Sequence, residues 1–165
     1  MNGARDSALS QAVRLREEGR ADQARERLLD LTERYPEDAE IAYQAAWAHD
    51  VLGLEAEAVP FYERALSGTG LSRDDRHGAF LGLGSTYRVL GHYDRSSATF
   101  RRGLEEYPGD AALSAFLAMT LYNLDEPRDA LREVLKALAA TSGDPRVQSY
   151  RRAIEYYADN LDEIV

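Results

Sequence analysis

Residues 80–108 read FLGLGSTYRVLGHYDRSSATFRRGLEEYP. Apolar residues recur there at helical spacing, yet Gly82, Gly84 and Gly91 interrupt the pattern. A glycine inside a helix costs about 1 kcal/mol relative to alanine, so something has to offset these three. Gly91 separates two apolar-periodic segments and suits the left-handed position that ends a helix. Gly84 has no side chain, which lets a partner helix approach closely. The stretch therefore reads as two helices folded against each other.

The same arrangement recurs along the chain. Gly19, Gly53, Gly91 and Asp125 stand 34, 38 and 34 residues apart, each between two apolar-periodic segments. Repeats of this period signify an array in which each unit buries its apolar face against the next. Tyr35-Pro36 and Tyr107-Pro108 end second helices. Asp38, Asp110, Ser72 and Asp144 stand where N-caps are wanted, Ser72 with Asp75 as a capping box. The four extra residues of the second spacing fall in SGTGLSRDDRHG and lengthen the following helix by about one turn. Pro145 opens a last helix, with Tyr150, Ile154, Tyr157 and Leu161 as its apolar stripe.

A 34-residue period built from two helices resembles the tetratricopeptide repeat, and the third copy fits that pattern best. Phe80 matches its opening aromatic, Leu83-Gly84 its Leu-Gly pair, and Tyr87 its tyrosine. Phe100 and Pro108 follow, and only Ser96 departs, where alanine is usual. The resemblance implies one all-α domain over residues 1–165, a right-handed α-solenoid of four hairpins plus a C-terminal capping helix. The hairpins fall at about 5–38, 39–76, 77–110 and 111–144, and the cap at about 145–160. The middle of the chain is also similar to a bacterial subfamily of small repeat proteins. That likeness implies no enzymatic activity and at most self-association.

Composition narrows the function. The chain carries 29 acidic against 20 basic residues, a net charge of −9, which disfavours nucleic acid, whose phosphates need a basic footprint. Nineteen of the basic residues are arginine and one is Lys136, a bias expected of a GC-rich bacterial genome. No cysteine is available for disulfides or thiolate chemistry. MNGARDSALS lacks the apolar core of a signal peptide and no stretch is long and apolar enough to span a membrane, so the cytoplasm is the expected compartment.

The search for chemistry finds neither catalytic residues nor a cofactor or metal site. His49 falls on an inward stripe with Ala42, Ala45 and Ala46 and reads as a packed, hydrogen-bonded histidine. His77 beside Asp74 and Asp75 has too few further ligands at metal spacing and reads as part of a helix start. His92 follows Gly91 in a turn. No nucleophile elbow, phosphate loop or HExxH occurs. The expectation is a non-enzyme.

Function is then left to the groove that, by the resemblance, the first helix of each hairpin lines. Its stripe runs through Asp6, Leu9, Val13 and Arg16, then Glu40, Tyr43, Trp47 and Asp50. It continues through Gly78, Leu81, Ser85 and Arg88, and through Ala112, Ala115, Met119 and Tyr122. Tyr43 and Trp47 lie beside a stripe of alanines, so either they form a recognition surface or a neighbouring helix covers them. Gly78, Gly82 and Ser85 are small among large neighbours, as at a pocket floor. Arg88 stands at its edge, either to meet a partner's carboxylate or to pair with Asp50 or Asp125. The carboxylate clamp of chaperone-binding relatives is absent, since Leu9, Val13, Gln44, Gly78 and Gly82 occupy its positions.

The reading is a module that binds a peptide or helix of a partner protein, with an acidic group at Arg88. The alternative is a homo-oligomer joined through the Trp47 face or through Tyr150, Tyr156 and Tyr157. A small-molecule site or enzyme is the minority reading.

Overall fold

The computed structural model describes residues 2–164, which form ten α-helices and, among the described residues, no strand. They divide into two compact units meeting in sequence between Leu90 and Gly91. The first holds α1 (Asn2–Glu17), α2 (Ala21–Arg34), α3 (Ala39–Val51), α4 (Glu55–Ser67) and α5 (Arg73–Val89). The second holds α6 (Tyr93–Glu106), α7 (Ala111–Asn123), α8 (Pro127–Thr141), α9 (Pro145–Ser149) and α10 (Arg151–Asp159).

The turns explain the repeat spacing. Gly19, Gly53 and Gly91 have φ of 79°, 70° and 77°, and Asp125, the one non-glycine with positive φ among the described residues, has 61°. A left-handed residue after a helix turns the chain back while satisfying its last carbonyls. Three of the turns repeat one hydrogen-bond pattern. Arg20 N–H donates to Leu15 C=O, Leu54 N–H to His49 C=O and Glu126 N–H to Leu121 C=O, at 2.8–3.0 Å.

The caps follow the sequence as well. Asp38, Ser72, Asp110 and Asp144 accept backbone N–H bonds from Ile41, Asp75, Leu113 and Arg146. The Ser72–Asp75 pair differs from a full capping box, because the Asp75 carboxylate accepts from the Ser72 hydroxyl at 2.8 Å.

In the first unit Leu9, Ala12, Ala24, Leu28, Leu31, Ile41, Ala45 and Ala48 form a buried cluster between α1, α2 and α3. His49 is packed as expected. It is buried, stacks on Phe61 at 5.1 Å, and its Nδ1 lies 2.7 Å from the Ala45 carbonyl. In the second unit Phe100, Leu113, Leu117 and Leu121 are buried. The Ser96 departure is explained there: its hydroxyl lies 2.9 Å from that of Thr120, joining α6 to α7 where both residues are fully buried.

One expectation is corrected. The capping helix over 145–160 is two helices, α9 and α10, divided at Tyr150 (φ −103°, ψ 7°). The break lets α10 lie against α8, with Ala158 buried and ion pairs Lys136–Asp159 and Arg128–Asp162, both 2.7 Å. No described helix is long and apolar enough to cross a membrane.

Candidate functional site

Helices α3 and α5 of the first unit each turn one face to a shared cavity of about 490 Å³. From α3 come Tyr43, Trp47, Asp50 and Val51, and from α5 come Gly78, Leu81, Gly82 and Ser85. Both sets have i, i+3/i+4, i+7 spacing, which puts them on a single helical face. Tyr62 of α4 completes the lining. The volume falls in the ~300–1,000 Å³ range of ligand pockets.

The aromatic groups differ in their access to solvent. Trp47 is 41% exposed, whereas Tyr43 is 6% and Tyr62 2% exposed. Tyr43 packs between the others, its ring centroid 5.8 Å from Trp47 and 6.3 Å from Tyr62. The guanidinium of Arg16 lies 3.7 Å from the Trp47 ring centroid in a cation–π contact and donates a hydrogen bond to Gln44 Oε1.

The glycines make room for these rings. A Cβ on Gly82 would stand closer than 3.0 Å to Cζ, Oη and Cε1 of Tyr62. One on Gly78 would collide with the Tyr43 hydroxyl. The direction a Cβ would take from both glycines is therefore filled by tyrosine, while the two residues also line the cavity. What offsets these two glycines is aromatic packing against the bare backbone of α5.

Asp50 is the charged side chain of this lining. It accepts a 2.5 Å hydrogen bond from the Tyr62 hydroxyl and a 3.1 Å bond from the Thr86 hydroxyl. Burial pushes its carboxyl above the usual range, and these two hydrogen bonds only partly offset that. Among the described residues no cation forms an ion pair with it. Burial likewise pushes the Tyr43 phenol up to about 12, so it stays protonated at neutral pH.

Not every residue of the expected stripe lies at this site. Tyr43, Trp47, Asp50, Leu81 and Ser85 are brought together. Leu9 belongs to the core, Arg16 is buried under Trp47, and Val13 packs partly buried against the core cluster. Tyr43 is covered too, so of the aromatic pair only Trp47 is substantially open. Arg88 is not part of the cavity lining. Ala115, Met119 and Tyr122 belong to α7 in the second unit, with Met119 and Tyr122 exposed. Sequence reasoning missed Val51 and Tyr62. Tyr62 lies on a second helix, outside the stripe that was searched, and its Asp50 bond has no sequence signal.

No three or more His, Cys, Asp or Glu among the described residues are grouped to hold a metal ion, Asp74, Asp75 and His77 included.

A family model described as Tetratrico peptide repeat matches residues 39–161. The type IV pilus assembly protein PilF of Pseudomonas aeruginosa is 30% identical over 108 residues, 56% of this chain and 43% of its own length. The chain thus spans less than half of that relative. Among solved structures, a crystal structure of MamA superposes with a TM-score of 0.73 at 16% identity, covering 97% of this chain and 78% of that one. P. aeruginosa PilF superposes with 0.69 at 17% identity, covering 96% and 71%. At these identities the structural likeness concerns the fold alone.

Proposed function

Because the chain belongs to the tetratricopeptide repeat family, whose fold is that of protein-interaction scaffolds, we propose that it binds an extended or helical segment of a partner protein. The segment lies across the cavity between α3 and α5, and catalysis plays no part. One observation carries this reading: the only tryptophan, Trp47, lines a largely apolar cavity and is itself partly open to solvent. Partly exposed aromatic side chains on a preformed surface supply most of the affinity at such sites, because they bury area at little entropic cost.

The test is a display selection of random decapeptides on the full chain, followed by calorimetric titration of the selected peptides, with Trp47 fluorescence as a local reporter in the unmodified protein. Binding is expected to shift the emission to the blue. Trp47→Ala is expected to weaken binding by about 2 kcal/mol or more. It also removes the ring under Arg16, so a stability loss of roughly 0.5–2 kcal/mol is expected alongside. Peptides that bind equally well to the alanine variant would exclude this surface.

A second reading, self-association, is favoured by the apolar stripe of α8. Leu131, Val134 and Leu138 occupy one helical face, and all three are exposed. Light scattering at high micromolar concentration decides it: the mass of two chains supports it, and the mass of one removes it.

A further inference from the structure

The chemistry of the cavity selects among partner segments. Its lining is aromatic, aliphatic, glycine and serine, apart from one carboxylate, that of Asp50. This carboxylate is half-buried and spends two acceptor positions on Tyr62 and Thr86, while a carboxylate offers about four. A partly buried charge without a counter-charge is a standing cost that a bound cation would remove. Aromatic rings beside it favour a cation further, through their negative faces. The molecule already displays this chemistry once, in the Arg16 guanidinium stacked on Trp47. No basic side chain lines the cavity to repel a second one.

We propose that the cavity between α3 and α5 takes a basic side chain, arginine or lysine, of the partner segment. Its aliphatic stem lies along Trp47, Val51 and Leu81 and its charged head meets Asp50. Long basic side chains are suited to this, since the methylene stem covers apolar surface while the head keeps a polar partner. Arginine is the better fit, because its planar group both stacks on indole and presents a fork to a carboxylate. The net charge of −9 adds long-range attraction for a basic segment. This inference rests on the proposed binding mode and deepens it. It also replaces the acidic partner read from Arg88, which lies off the cavity.

The experiment uses synthetic peptides from the selection, each made with arginine, with its neutral isostere citrulline, and with glutamate at the basic position. Isothermal titration calorimetry reads the affinity, so that the Trp47→Ala variant, which has no tryptophan, is measured on the same scale. Citrulline is expected to weaken binding at least tenfold, and glutamate to abolish it. Asp50→Asn is expected to remove the difference between arginine and citrulline. Ser85→Lys, which supplies a cation from within the lining, is expected to abolish binding of the arginine peptide while the melting temperature holds or rises. That second variant decides the matter if Asp50→Asn does not fold.

Equal affinity for arginine and citrulline peptides, with Trp47→Ala still weakening binding, would overturn the basic-side-chain inference and leave the groove reading standing. Selected peptides rich in aspartate or glutamate would do the same. Binding that ignores Trp47→Ala, or no peptide selected at all, would overturn both.

Discussion

Gly82→Ala is expected to destabilise the protein by about 2 kcal/mol, even though alanine is the better helix former by about 1 kcal/mol. The new methyl would stand closer than 3.0 Å to three atoms of the Tyr62 ring. That ring is held in its place. It is 2% exposed, its hydroxyl is bonded to Asp50 at 2.5 Å, and Tyr43 packs beside it. Overpacking of this kind typically costs 1–3 kcal/mol, and here it must first cancel the propensity gain. For a chain of this length the loss corresponds to a fall in Tm of roughly 4–8 °C. A double-mutant cycle sharpens the test. In a Tyr62→Ala background the obstruction is gone, so Gly82→Ala should become stabilising by about 1 kcal/mol. A stabilising Gly82→Ala in the otherwise unchanged protein would mean that the ring does not lie on this glycine.

The contrast between Gly82 and Gly91 shows what a sequence can carry. Gly91 answers a local demand, a φ of 77° after a helix, and local demands repeat with the period of the fold. That is why Gly19, Gly53 and Gly91 were legible, and why Asp125, whose side chain tolerates the left-handed region, could continue the series. The aspartate and serine caps are local in the same sense. Gly82 answers a tertiary demand from a ring on α4, and nothing near it in sequence states that.

The candidate site was half legible for a related reason. Helix α3 has Ala39, Ile41–Ala46, Ala48 and His49 all buried, because α2, α4 and α5 each contact it. A helix covered on most sides loses the alternation from which its open face is read. Trp47 and Asp50 could be placed by spacing from the motif, but whether Tyr43 faced solvent or Tyr62 depended on a neighbour 19 residues away. Helix α1 shows a second effect. Its Leu9 fills the core and its Arg16 lies buried by stacking on indole, an arrangement that charge and hydropathy both argue against.

Asp38→Ala is expected to cost about 2–3 kcal/mol at neutral pH, and the difference should narrow to about 1 kcal/mol or less in acid. Asp38 has two roles at the start of α3. Its carboxylate accepts the Ile41 N–H at 3.0 Å, a cap contributing about 1 kcal/mol. It also accepts Nε and one terminal nitrogen of Arg5 at 2.9 and 2.7 Å, a two-pronged bond tying α1 to α3. Both side chains are mostly shielded, at 18% and 23% exposure, so solvent screens the pair less than a surface ion pair. Glu40 shares the same guanidinium at 2.7 Å and would hold part of Arg5 in place, which keeps the expected loss moderate. Desolvation alone would raise the Asp38 carboxyl. The Arg5 and Ile41 hydrogen bonds outweigh it and hold the carboxyl below the usual range. A carboxylate depressed in the folded state contributes stability that is present above its unfolded value, near 4, and is lost as pH falls through the folded one. Asp50 runs the other way. Raised by burial, its charge weakens the fold as pH climbs above the same unfolded value. Urea denaturation of Asp38→Ala and the unmodified protein at pH 7 and pH 2.5 separates the two effects. The gap between them should narrow to about 1 kcal/mol or less in acid, because the protonated Asp38 can no longer hold Arg5. A gap unchanged between the two pH values would mean that the capping bond alone carries the residue's contribution, and that the Arg5 pair adds nothing to the joint between α1 and α3.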